Sequence, residues 1–430
     1  MTRLLYSLVL YLSVPLVLLR LLWRGTKNPA YWRRWSERFG WFAAPSFKQP
    51  LWIHAVSVGE VQAAVPLVRA LLARYPQRSV VITAMTPTGS QRAQALFAKE
   101  LQAGRVFHVY LPYDLPGAVR RFLKRVQPCI AIIMETELWP NLFHHCARKN
   151  IPVVVANARL SPKSLAGYQR MASLVRPTLA KTTLIASQSE ADAERFLSIG
   201  AKAEQVMVMG NIKFDLHFSE DLPQRAKSLR AQLGAERPVW IAASTHEGEE
   251  EQVLQAFALV REVLPQCLLV LVPRHPERFN KVVSLAQRHG YQVLRRTEGQ
   301  SCDAGKDVFV VDTLGELPLF YAAADVAFVG GSLVPTGGHN MLEPAALGLP
   351  VIIGPHLFNF AEVSSALLAV GGACKVDSPK ELARKVREFL QEPQVRELMG
   401  ESGQELVNNS RGAMDRLLAK IAPFLPASTE

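Results

Sequence analysis

The stretch LWIHAVSVGEVQAAVPLVRALLARY, residues 51–75, changes its period in the middle. Residues 51–55 form an apolar β-run and residues 61–75 repeat their apolar positions at helical spacing, so a strand passes through a short polar turn into a helix. The same unit recurs, with further β-runs at 80–83, 106–111, 130–134, 153–156 and 183–186 and a shorter one at 206–209. Strands alternating with helices predict an α/β fold with a parallel, doubly wound sheet. Polar residues around 215–230 read as a linker, after which the alternation restarts with runs at 239–242, 268–272, 308–311, 326–329 and 351–353. The whole chain, 430 residues, exceeds one compact core. Two Rossmann-like domains are expected, 26–215 and 216–430, behind an N-terminal segment, 1–25. Ligands of such sheets bind beyond the carboxyl ends of the strands, and two facing sheets would hold one ligand in the cleft between them.

Residues 4–19 carry no charge, which is borderline length for a membrane span, and Pro15 and two serines interrupt the run. A spanning helix and one lying in the interface plane both remain open. Arg20, Arg24, Lys27, Arg33, Arg34 and Arg38 follow against the single acid Glu37, with four of the seven tryptophans, Trp23, Trp32, Trp35 and Trp41, among or beside them. Basic residues mixed with tryptophan after an apolar run suit a membrane interface, and the positive flank predicts a cytoplasmic body. The net charge of +12 is concentrated here, which counts against a nucleic-acid binder, as does the lack of any recognised nucleic-acid motif. Five scattered cysteines without a C-x-x-C pair support neither a disulfide frame nor a zinc site.

The residues that follow β-runs carry the chemistry. Ser57-x-x-Glu60 and Asn340-x-x-Glu343 both match a helix capping box, yet a carboxylate at a helix N-terminus can also meet a ligand. In METELWPN (134–141), alternation along an extended segment predicts that one of Glu135 and Glu137 faces the ligand and the other turns away. Lys213 in GNIKFD is an ordinary solvated lysine or a cation for an anionic ligand. Arg274 in VPRHPERF suits a phosphate or carboxylate, with a simple proline-bounded turn as the alternative. Leu314-Gly315-Glu316 opens another helix, whose free N–H groups would face an anion. No P-loop, no G-x-G-x-x-G, no D-x-D, no metal-spaced His/Cys set and no G-x-S-x-G is present, so nucleotide hydrolysis, dinucleotide redox chemistry and an obvious metal mechanism lose weight.

Taken together, SVSVGE, MTPTGS, YLPYDLP, METELWPN, NARLS, STHEGEE, VPRHPERF, GGSLV, GGHNMLEPAALGLP and GPHLFNF resemble the Kdo (3-deoxy-D-manno-octulosonic acid) transferases of Gram-negative bacteria. The resemblance runs from the apolar N-terminus almost to the C-terminus, and departs only in loops such as 101–105. It implies a GT-B glycosyltransferase: two facing Rossmann-like domains, an N-terminal membrane-anchor helix, an acceptor-binding domain at 26–215 and a nucleotide-sugar domain at 216–430. It implies CMP-Kdo as donor, lipid IVA as acceptor at the inner-membrane surface, no metal and no other cofactor. Carried over by position, the family's catalytic base falls on Glu60, and its transition-state residues on Glu135 and Lys213. The CMP contacts fall on Pro273, Arg274, Leu314, Gly315, Glu316, Asn340, Met341, Leu342 and Glu343, with the glycines of GGHN letting backbone approach the donor. A GT-B enzyme using a UDP-sugar is the competing reading.

Overall fold

A computed structural model describes residues 2–303 and 305–425. The chain divides into two compact bodies, one reaching Asp215 and joined again by the chain from Arg411, the other formed by Leu216–Ser410. The first begins with a long helix, Arg3–Lys27 (α1). Its strands are Leu51–His54 (β1), Val80–Ala84 (β2), Val106–Tyr110 (β3), Ile130–Met134 (β4), Val153–Ala158 (β5), Leu184–Ser187 (β6) and Val206–Val208 (β7). They pair in parallel in the order β3-β2-β1-β4-β5-β6-β7.

The period of two along each strand divides the core cleanly. Leu51, Ile53, Ile130 and Ile132 pack on one face with Leu67, Val68 and Leu71 of the helix Val58–Arg74. Trp52, Ala131 and Ile133 face the other side, against Phe122 and Leu123 of Pro116–Val126 and Phe143 of Pro140–Arg148. Both faces are covered, which is why these strands read as continuous apolar runs.

The second body has strands Val239–Thr245 (β8), Leu268–Pro273 (β9), Val293–Arg295 (β10), Val308–Val310 (β11), Val326–Val329 (β12), Val351–Ile353 (β13) and Ala373–Lys375 (β14). All neighbours are again parallel, in the order β10-β11-β9-β8-β12-β13-β14. In the first sheet the order reverses at β1/β4 and in the second at β8/β12, and such reversals open a crevice at the carboxyl ends of the two strands.

Three expectations need correction. The edge strands β10 and β14 were not foreseen. The segment read as a linker contains the helix Leu222–Leu233, whose Leu222, Ala226, Leu229 and Leu233 are buried at spacings of four, three and four. The second body ends at Ser410 rather than 430. Beyond it, the helix Ala413–Ile421 inserts Met414, Leu417 and Ile421 into the first body's core. The Asp215 carboxylate accepts the N–H groups of Gly412 and Met414, and the Arg416 guanidinium donates to the Met209 carbonyl at 2.7 and 3.0 Å.

Candidate functional site

In the first body, β1 leads through Val56 and Ser57 into the helix Val58–Arg74. Ser57 caps that helix, its hydroxyl accepting the Glu60 N–H at 3.4 Å. The Glu60 carboxylate turns back: Oε1 accepts the Ser57 hydroxyl and Oε2 the Val56 N–H, each at 2.9 Å. The capping box is therefore displaced by one residue, to Val56 instead of Ser57. Burial, reinforced by the negative charge of Glu135, pushes Glu60 up to about 7 against the pull of its hydrogen bonds. A carboxylate with that affinity for protons caps a helix and is also poised to accept a proton near neutral pH.

β4, the neighbour of β1 at the reversal, ends at Met134, and Glu135 follows it directly. This residue is left-handed, with φ of +57°, a conformation in which bulky L-residues are strained. The expected alternation consequently breaks. Glu137 is not turned away: burial first, then repulsion from Glu60 and Glu135, pushes it up to about 7. Three carboxylates thus share one region, and Lys213 Nζ lies 3.7 Å from Glu135 Oε1.

The lysine is held by groups that no sequence motif had singled out. Asn211 Oδ1 accepts the Lys213 N–H at 3.0 Å and Asn157 Oδ1 the Ile212 N–H at 3.1 Å. Gln188 ties the two asparagines together, donating to the Asn157 carbonyl and accepting from Asn211 Nδ2. Asn157 is buried and left-handed, φ +52°, a conformation that asparagine tolerates better than most residues.

In the second body the reversal lies between β8 and β12. The fully buried Glu249 carboxylate accepts the N–H groups of Gly331, Ser332, Leu333 and His246 at 2.7 to 3.2 Å, tying the two strand ends together. Beside it, Glu250 is paired with Arg278 at 2.9 Å. The acids of STHEGEE are in this way structural.

Around them stand three imidazoles. His246 Nε2 and His339 Nε2 are 2.7 Å apart with nearly parallel rings, so one donates to the other, and His275 stands edge-on to His246 with ring centroids 5.3 Å apart. Burial, then the Arg274 charge, pushes His339 down to about 3, and burial with the charges of His275 and Arg274 lowers His246. Arg274 follows β9 directly, its N–H bonded to the Thr245 carbonyl at 3.0 Å. Burial raises Glu343, while Asn340 Nδ2, donating at 2.9 Å, and the Arg274 charge oppose the rise.

The sequence-predicted nucleotide residues are only partly gathered in this way. Pro273, Arg274, Asn340 and Glu343 belong to the group. The Met341 and Leu342 side chains are buried, leaving only their backbone to a ligand. Asn340-x-x-Glu343 is not a capping box: the helix is the five-residue Leu342–Ala346 with Met341 in the N-cap position, and Asn340 Oδ1 accepts the Leu342 N–H. Gly315 is left-handed beside an exposed Leu314, while Glu316 turns its carboxylate to Arg296 and Thr313 at the start of a six-residue helix, Leu317–Ala322. The glycines also answer first to their own chain. Gly337 has φ of +100°, and a Cβ there would lie 2.3 Å from the Asn359 amide.

Two doubly wound bodies with polar groups gathered at each reversal have the architecture of the GT-B glycosyltransferases. Residues 33–216 match the family described as 3-deoxy-D-manno-octulosonic-acid transferase (kdotransferase), and residues 241–406 that of glycosyl transferases group 1. The 3-deoxy-D-manno-octulosonic acid transferase of Haemophilus influenzae is 43% identical over 428 residues, 99% of each chain. That of Bordetella pertussis is 36% identical over 99% of this chain and 100% of its own. A solved UDP-GlcNAc 2-epimerase from Neisseria meningitidis, bound to UDP-GlcNAc, shares the fold with a TM-score of 0.54 at 14% identity, over 87% of this chain and all of that one. The chain belongs to the 3-deoxy-D-manno-octulosonic acid transferase family, and its activity is Kdo transfer.

Proposed function

We propose that the chain transfers Kdo from CMP-Kdo to lipid IVA with inversion, at the cytoplasmic surface of the inner membrane, with Glu60 as general base. The observation that carries this reading is a half-buried carboxylate at the β1/β4 reversal whose proton affinity is raised to about 7. An acceptor hydroxyl is a weak nucleophile until its proton is taken. Glu60 receives that proton as the hydroxyl oxygen bonds to the anomeric carbon; the bond from that carbon to the CMP phosphate oxygen breaks, and its electron pair leaves with CMP. One displacement inverts the centre.

Lys213, held by the Asn157–Gln188–Asn211 network and paired with Glu135, supplies positive charge toward an anionic reacting sugar, and Glu135 favours the cationic character that develops as the leaving group departs. In the second body Arg274 offers its guanidinium to the CMP phosphate, and Glu343 accepts hydrogen bonds from ribose hydroxyls. The exposed Arg20, Arg24 and Lys27 in the last turns of α1, with Arg33 just beyond it, support a membrane-surface location.

The test is direct. Purified protein incubated with CMP-Kdo and lipid IVA is expected to give a product heavier by the mass of Kdo, with the anomeric configuration opposite to that of the donor. Absence of the adduct, or retained configuration, would overturn the reading.

A further inference from the structure

Helix α1 has no acidic residue and a mean hydropathy of 2.0 over its most apolar 18 residues, enough to cross a bilayer by composition alone. Its surroundings are inconsistent with crossing. Arg3, Ser7, Leu10, Val14, Leu21 and Gly25, at spacings of three, four and seven, are covered or half-covered by the first body. The opposite face is open: Leu4 is 73% exposed, Leu8 55%, Leu12 70%, Leu16 69% and Leu19 62%.

Contacts with the body extend from one end of the helix to the other. At the N-terminal end, Arg3 Nη1 and the Ser7 hydroxyl both donate to Asn141 Oδ1, at 3.0 and 3.1 Å. Asn141 is itself immobilised, its amide donating to the Asp114 carbonyl and its N–H to the Asp114 carboxylate. Midway, the Tyr11 hydroxyl accepts the Gly117 N–H at 3.2 Å. Toward the C-terminal end, Arg20 and Arg24 lie close enough to Tyr113 for their charges to oppose the rise that burial gives its hydroxyl, and the following turn folds back, Trp32 Nε1 donating to the Leu22 carbonyl with its ring so close over Gly25 that any Cβ there would clash.

From Arg3 to Gly25 the helix is ~33 Å long at 1.5 Å per residue, about the thickness of a bilayer's hydrocarbon core. If α1 crossed the membrane while docked, Asp114 and Asn141 would have to follow Arg3 through the hydrocarbon. Unsatisfied or charged groups there cost several kcal/mol each. A helix in contact with one body along its full length can meet lipid only with its outer face.

We propose that α1 is an in-plane membrane-binding edge of the first body: it lies within one leaflet's interface, with Leu4, Leu8, Leu12, Leu16 and Leu19 toward the acyl chains. This rests on the membrane-surface reading above and adds how the surface is held. Trp23 and Trp32, 61% and 51% exposed, suit the headgroup level, and the exposed Arg20, Arg24, Lys27 and Arg33 suit anionic phosphates. The same charges disfavour a second copy as the occupant, because two identical faces would bring like charges together.

Of the neighbouring basic cluster, Arg34 and Arg38 serve the body instead. Arg34 pairs with Glu37 at 2.7 Å, and the buried Arg38 donates to the Met85 carbonyl beneath the Tyr110 ring.

The test uses the full chain with vesicles of phosphatidylethanolamine and phosphatidylglycerol. Leu4→Cys, Leu12→Cys and Leu19→Cys variants each carry a spin label, with the parent chain as labelling blank because its five cysteines all lie outside α1. All three are expected to pellet with vesicles and to report similar, shallow depths. A separate Thr2→Cys variant, at the polar start of α1, should react with an impermeant maleimide added from outside. A depth profile deepest at Leu12, with the Thr2→Cys thiol reactive only from the lumen, would show a spanning helix and overturn the proposal while keeping the membrane reading. Failure of the parent chain to pellet would overturn both, and spin–spin broadening without pelleting would assign the face to a second copy.

Discussion

The two sheet reversals of this chain share a topology and gather opposite kinds of side chain. At β1/β4, Glu60, Glu135 and Glu137 lie near one another with Lys213 beside Glu135, and burial pushes Glu60 and Glu137 up to about 7. At β8/β12, three imidazoles stand by Arg274, and burial moves His246 and His339 down, toward neutrality. Each region includes a left-handed residue at a strand end, Glu135 with φ +57° in one and Ser244 with φ +57° in the other. The backbone gives both the same kind of opening. Side-chain charge sets them apart: one region gathers carboxylates whose proton affinity is raised, the other a guanidinium beside histidines of which two are pushed down.

The largest expected break in this comparison is Glu60→Gln. The Gln carbonyl still accepts the Val56 N–H, so the helix start survives, but basicity is lost. Loss of a general base lowers rate by about 10² to 10⁴, whereas a capping defect lowers stability by about 1 kcal/mol. A kcat reduced within that range, with near wild-type melting and CMP binding, is expected; near wild-type turnover would reduce Glu60 to a cap.

A smaller effect should come from Glu343→Gln in the other region. Gln keeps the contact with Asn340 but offers ribose a neutral acceptor, and charge-assisted hydrogen bonds are roughly twice as strong as neutral ones. CMP affinity measured by calorimetry should fall about tenfold, corresponding to about 1.4 kcal/mol, with kcat at saturating donor little changed. Unaltered affinity would confine Glu343 to a structural role.

Smallest is the stability effect of Glu137→Gln. The folded state holds the Glu137 proton more tightly than the unfolded chain, about 7 against the ordinary value of 4.5. Stability from this group is therefore full below about 4.5 and is lost as pH rises through 7. The Gln variant, which does not titrate, should match wild type near pH 4.5 and melt higher above pH 7, by on the order of 1 kcal/mol. An equal difference at both pH values would show that the carboxylate does not titrate in this window.

Much of this was legible in the chain itself. All seven strands of the first sheet follow from apolar runs, and Glu60, Glu135 and Lys213 stand out in the sequence because each follows a strand. β10 and β14 escaped because three-residue edge strands such as VLR and ACK carry too little pattern. The helix Leu222–Leu233 was hidden by its polar residues, although its buried positions keep helical spacing. The left-handed turn at Glu135 depends on tertiary surroundings, so simple alternation misassigned Glu137. The His246–His339 pair joins residues 93 positions apart, which only the β8/β12 pairing brings together.

The central claim is that Glu60, with its proton affinity raised by burial and by the charge of Glu135, is the base. The pH dependence of kcat/KM, which reports groups of the free enzyme, tests it most directly. The account predicts a rise of about tenfold per pH unit up to a break near 7, set by Glu60. In Glu135→Gln the break should move to lower pH, because the carboxylate that repels Glu60 is gone. A profile flat from pH 5 to 8, or a break that stays in place in that variant, would contradict it.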